Sequence, residues 1–360
     1  ETPVAFRWES GVTTQLNLAE VVRQVGARRM NKFERIFAGE EGKLIIQTTE
    51  RDKEAVGRLW HSFSVESHGQ TASLSSLRVF AEPKIEAVVS DGQKVASLSD
   101  GTVRIWSLND QSLQPAGILT GNYSAIALST DGQKLVASTH RQSLQVIDFA
   151  TFKTIAEFAM PPTADTGQVA VAWRPDGSGF AASLGDGTVL EYLADADGRF
   201  SEPGQKIQTI AAIPLPKRID RLVYSADAQT LLATSVANST ALVLHRQDGD
   251  RHRFVVTPLA YDDGQSITSA DLSADGTRVA AGTAAGRIAI WNSQRPSKLA
   301  IATGATASVS ERELLHMPNL HQSAISAIRF VERENQTGVL SAETKSGKNE
   351  VLFWPANSPH

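Results

Sequence analysis

A short phrase returns along the chain and restricts what it can become. Asp91-Gly92, an apolar step at Val95 and Ala96, then Asp100-Gly101 and a run closing on Trp106 reappear as Asp275-Gly276, Val279 and a run from Gly286 closing on Trp291. Looser copies lie between and around these two. Self-similarity at a period of roughly 40–50 residues marks stacked supersecondary units, each too small to bury its own apolar face alone.

Each unit reads as strand, polar turn, strand, tight turn, strand. The first strands alternate as half-buried strands do, as in residues 85–89, 124–128, 169–173, 219–223, 267–272 and 325–330. The turns after them carry Asp91-Gly92, Asp131-Gly132, Asp176-Gly177, Asp227-Ala228 and Asp275-Gly276. Asp-Gly between apolar runs is a hairpin signal, because the turn needs a positive φ. Small residues dominate the second strands (Ala96-Ser97, Ala137-Ser138, Ala182-Ser183, Ala233-Thr234, Ala280-Ala281-Gly282), which suits strands near a crowded axis. Third strands close on Trp60, Trp106, Ile147, Tyr192, Leu244, Trp291 and Trp354, each six residues after a turn slot. That makes seven units. Fourth strands are expected near 116–119, 154–158, 206–211, 254–259 and 314–320. Residues 3–9 offer a spare strand that would complete the last unit and close a ring, removing two open sheet edges.

These residues resemble the WD40-repeat β-propeller family over roughly 33–356. In that family a His before the first strand, a Ser or Thr in the second, an Asp in the last turn and a Trp closing the third form a hydrogen-bonded tetrad. Here His321 matches the His position, Asp100 and Asp186 fill the Asp slot, and Trp stands at four of the seven closing positions. The resemblance implies an all-β fold: a single domain over 1–360, a seven-bladed β-propeller with four-stranded antiparallel blades, the N-terminal strand closing the last. It also implies incomplete tetrads, with packing carrying more of the stability.

Composition narrows the function. The chain has 360 residues, 41% hydrophobic and 21% charged, a net charge of −4 and no cysteine. A real core is affordable and disorder disfavoured. The acidic balance argues against a broad nucleic-acid or anionic-membrane footprint. No apolar run is long enough for a membrane helix. Without cysteine there is no disulfide framework, thiolate site or cysteine nucleophile. The start at Glu1 suggests a piece of a multidomain or membrane-anchored protein. Together with the cysteine-free, alanine-rich style it points towards an extracytoplasmic place, with the cytoplasm left open.

Chemistry is sparse. No phosphate-cradling loop, HExxH or GxSxG motif is present. The run 245–253, with His245, Asp248, Asp250 and His252, reads as a hairpin tip rather than a metal site, and Asp262-Asp263-Gly264 as a turn. Glu343 with Glu350, or Asp100 with Asp186, are conceivable carboxylate pairs that no spacing enforces. No catalytic, metal or cofactor residue is assigned. The individual regions are 14–30, a partial apolar stripe with Arg28 and Arg29, and 293–312, a Ser/Thr/Ala/Gly-rich insertion carrying Lys298 and Arg312. Trp173, just before Arg174-Pro-Asp-Gly, is expected to be partly exposed. The expected function is non-enzymatic recognition of protein partners through one face, contacted by Arg28, Arg29, Trp173, Lys298 and Arg312. The alternative is a propeller enzyme or a binder of a small ligand or metal, with its site at the central channel.

Overall fold

The computed structural model describes residues 30–38, 43–51, 56–68, 71–77, 87–90, 94–109, 112–140, 143–161, 169–195, 198–200, 205–206, 208–209, 215–247, 253–259, 266–293, 315–316, 323–333, 336–343 and 351–355. These residues hold strands and turns and no helix. In particular, no helix among them is long and apolar enough to cross a membrane.

The strands of the described residues fall into seven successive sheets. The first comprises Met30–Ala38, Lys43–Arg51, Val56–His68 and Thr71–Leu77. The second comprises Ala87–Ser90, Lys94–Ser99, Thr102–Asn109 and Ser112–Leu119. The third comprises Tyr123–Leu128, Lys134–Thr139, Ser143–Asp148 and Thr154–Ala159. The fourth comprises Val171–Trp173, Gly179–Ser183, Val189–Leu193 and Gln205–Lys206. The fifth is built on Arg221–Tyr224, Thr230–Ser235, Thr240–Arg246 and Arg253–Leu259. The sixth comprises Ile267–Leu272, Arg278–Thr283, Ile288–Asn292 and Leu315–His316. The seventh comprises Ile325–Arg333, Gln336–Glu343 and Val351–Pro355. Within each sheet the strands just named run as an antiparallel meander.

Two sheets depart from four strands. The fifth carries an extra outer strand, Gln208–Thr209, parallel to Arg253–Leu259. The expected strand over 206–211 is therefore split. Gln205–Lys206 pairs with the fourth sheet, and two residues later the chain pairs with the fifth. The seventh sheet shows three strands among the described residues. The spare strand at 3–9 lies outside them.

Alternation along each strand explains the stacking. In Lys134–Thr139, Leu135 and Ala137 pack with Ala96, Leu98 and Ile105 of the second sheet. Val136, between them, packs with Val171, Phe180 and Tyr192 of the fourth. Successive side chains of a strand point to opposite faces, so every middle sheet is buried on both sides. The same pattern repeats between the fourth and fifth sheets, the fifth and sixth, and the sixth and seventh. Small second-strand residues set the spacing: a Cβ added to Gly282 would come within 2.5 Å of the Ile325 side chain.

The stack is also convergent. From the second sheet to the seventh, the first strands of consecutive sheets lie against one another. Met30–Ala38, the first strand of the first sheet, lies against Ile325–Arg333 of the seventh.

Candidate functional site

Antiparallel succession places the turn after the first strand and the turn after the third at the same end of every sheet. Among the described residues, that end carries the turns at Asp131-Gly132, Asp176-Gly177, Asp227-Ala228 and Asp275-Gly276. Three of the turns share one hydrogen-bonded design. Ser129, Ser225 and Ser273 donate their hydroxyls to Asp131, Asp227 and Asp275 at 2.6 Å. Each carboxylate also accepts a backbone N–H, from Gln133, Gln229 and Thr277, at 2.9–3.0 Å. Each serine oxygen accepts one more, from Lys134, Thr230 and Arg278, at 2.8–2.9 Å. Asp-centred turns of this kind satisfy the backbone locally. Burial would push the carboxyls of Asp131 and Asp275 up, but the hydrogen bonds from Ser129 and Ser273 and from the backbone hold both below the usual range.

The fourth sheet breaks the pattern. Arg174 takes the serine's place. Its Nε bonds Ser178 Oγ at 2.8 Å and Asp176 Oδ1 at 3.2 Å, and Nη2 meets Asp176 Oδ2 at 2.8 Å. Its Nη1 lies 3.5 Å from Glu191 Oε1. Glu191, one residue before the closing Tyr192, is fully buried where the other units place Leu59, Ile105, Val146, Val243, Ile290 and Phe353. From the fifth sheet, Arg246 grips the same carboxylate with Nη2 at 2.7 Å and Nη1 at 3.3 Å, and Tyr224 donates its hydroxyl at 2.6 Å. The Arg246 guanidinium also rests 4.6 Å from the Phe254 ring centroid. Glu191 thus bonds both arginines and the tyrosine across the boundary of two sheets. Burial, then the Glu191 charge, pushes the Tyr224 hydroxyl well above its ordinary value, so it stays a donor. Asp176, where the cluster meets solvent, is pushed up by burial but held at about 2 by Arg174 and Ser178.

A second polar tie crosses from the fifth sheet to the sixth. His245 Nε2 lies 2.5 Å from the Ser293 carbonyl oxygen, so it carries the proton, and Nδ1 accepts from Thr230 Oγ1 at 3.2 Å. Burial pushes this imidazole down, keeping it neutral. His245 is therefore a structural strap, and no group of three or more metal-ligating side chains occurs among the described residues. Asp248, Asp250, His252, Asp262 and Asp263 lie outside them.

Trp173 corrects the sequence expectation. It is 7% exposed, not a surface aromatic. Its indole N–H donates to the Ala127 carbonyl of the third sheet at 3.0 Å, and its ring packs edge-on against Phe180 and Phe200. Its burial was not visible from the Arg174-Pro turn that follows it, because part of its cover, Phe200 and the Ala127 carbonyl of the third sheet, comes from outside its own hairpin. Arg28, Arg29, Lys298, Arg312, His321 and Glu350 lie outside the described residues. Asp100 sits at positive φ in its turn, and Asp186 accepts the Thr188 N–H at 2.8 Å. Both carboxylates thus occupy turns. The sequence reading missed Glu191, Arg246 and Tyr224. The available signal was a carboxylate at a slot that holds an apolar residue in every other unit.

The second sheet keeps part of the expected tetrad: Trp106 Nε1 donates to Ser97 Oγ at 3.1 Å. The family model of the WD domain, G-beta repeat, matches residues 64–107. The match starts within Val56–His68, takes in Thr71–Leu77, and ends just past Trp106. One sequence repeat therefore spans the outer strand of one sheet and three strands of the next. No curated protein matches the chain.

Proposed function

We propose that this chain, which carries a WD40 repeat at 64–107, is a closed seven-bladed propeller that recognises protein partners without catalysing a reaction. One observation supports ring closure above all: the first strand of the first sheet lies beside the first strand of the seventh. Residues 3–9 would then supply the fourth strand of the last blade. Five shared hydrophobic cores between consecutive sheets make the body rigid. Rigid scaffolds present recognition residues on their loops. WD40 repeats serve in general as interaction modules, and the turn end bearing the 293–312 insertion is the face on which partners dock. Lys298 and Arg312 contact the partner there, with Arg28 and Arg29 as a second basic element.

The test compares the native chain with one lacking 293–312. A partner captured from the source cell is purified and its affinity for both forms measured. The proposal expects at least about a tenfold loss in the deleted form, and a similar loss when Lys298 and Arg312 become glutamate. Equal affinity across all three forms contradicts it.

A further inference from the structure

The first strands of the fifth, sixth and seventh sheets bring three charged side chains together. Arg221 sits at the start of Arg221–Tyr224, Asp271 in Ile267–Leu272, and Arg329 in Ile325–Arg333. Asp271 is already engaged. It accepts Arg221 Nη2 at 2.6 Å through Oδ1 and the backbone N–H of Phe330 at 2.9 Å through Oδ2. Arg221 spends Nη1 on the Ala270 carbonyl at 2.8 Å. Arg329 donates Nη1 to its neighbour's carbonyl, Ile328 O, at 2.8 Å and forms no ion pair among the described residues. It is partly exposed, so solvent reaches it.

Among the described residues, Arg221 and Asp271 are the charged groups that act on Arg329. Two guanidiniums and one carboxylate leave a surplus of one positive charge. A half-buried cation set beside a like charge is costly unless an anion joins it. Burial, and then Arg221, bring the Arg329 guanidinium down to about 9, so it remains charged at neutral pH. Its planar fork has four N–H groups to offer, the geometry that receives a carboxylate side-on.

We infer that the junction of these first strands is an anion site in which Arg329, backed by Arg221, binds a carboxylate. The surplus of one charge selects a monoanion. A phosphate dianion would replace an excess of one sign by an excess of the other. The site is set by strands whose positions are fixed by packing and by cross-sheet bonds: Thr268 Oγ1 to the Ile325 carbonyl at 2.7 Å, and the Ile328 N–H to Ser269 Oγ at 3.1 Å. It goes beyond the proposed recognition surface and does not depend on which partner docks at the turn end.

The test titrates the full chain with acetate against chloride at constant ionic strength, following Tm and the arginine Nε–Hε NMR cross-peaks. Tm should rise saturably with acetate over chloride. One cross-peak, absent from Arg329→Lys, should move with the same saturation. Arg329→Lys keeps the charge but loses the fork, and should weaken acetate binding about tenfold. Arg329→Gln removes the surplus and should abolish the response. In acetate-free buffer its Tm should equal or exceed that of the native chain. A linear, unsaturable response, or one unchanged in Arg329→Lys, overturns the site. A stronger saturable response to inorganic phosphate than to acetate overturns the carboxylate assignment. Failure here leaves the 293–312 binding test untouched.

Discussion

Glu191 is the residue on which two sheets depend. It is fully buried and holds Arg246, itself 6% exposed, along with Tyr224 and Arg174. Removing one partner of such a cluster leaves charge enclosed without compensation, so Glu191→Ala should cost about 3–5 kcal/mol in chemical denaturation. The double change Glu191→Ile with Arg246→Leu restores the aliphatic slot of the other repeats. It should recover most of that loss, giving a strong coupling in a double-mutant cycle. Near-additive losses would show that the pair does not interact. Asp176 adds a pH signature. Its folded value of about 2 lies below its ordinary 3.8, so the stability it contributes is fully present above about pH 4 and lost as pH falls towards 2. The shift is nominally about 2 kcal/mol, but Asp176 is 43% exposed, and screening reduces the contribution to about 1 kcal/mol. Asp176→Asn should flatten the stability profile between pH 4 and 2 by that amount. An unchanged profile would contradict the Arg174–Asp176 assignment.

At the scale of turns and strands, the repeated Ser-x-Asp design predicts that Ser273→Ala loses about 1 kcal/mol, because Asp275 and the Arg278 N–H both lose a partner. Gly282→Ala should cost about 1–3 kcal/mol, since the new methyl meets Ile325 of the next sheet. Thermal or denaturant unfolding checks both, and a neutral Gly282→Ala would show that the sixth and seventh sheets are not pressed together there. Much of this layer was legible in the sequence. Asp-Gly turns and alternating apolar positions located the first three strands of the second to sixth units to within a few residues, because both signals are local. Fourth strands were harder to place. Residues 206–211 have no periodicity that distinguishes two short pairings with different sheets from one strand. The burial of Trp173 was illegible for a related reason: beyond its hairpin partner Phe180, its cover comes from Phe200 and from the third sheet at Ala127, and that is set by tertiary packing. The ionic cluster left a readable trace only at Glu191, by comparison of one repeat with its siblings. Arg221, Asp271 and Arg329 come from three repeats and left none.

For the molecule as a whole, the claim is that stacked sheets turn about an axis until the last meets the first. The convergence of the first strands supports it. Packed sheets lie ~10 Å apart, so an open stack would hold the first and seventh sheets about six spacings, or ~60 Å, apart. The native chain contains no cysteine, which makes site-specific labelling clean. Spin labels on Lys32→Cys and Ser326→Cys would report the gap between the first and seventh sheets by pulsed electron resonance. The account predicts a single short distance, one sheet spacing lengthened by the label arms. A distance near ~60 Å, or a broad spread reaching it, would contradict the closed ring.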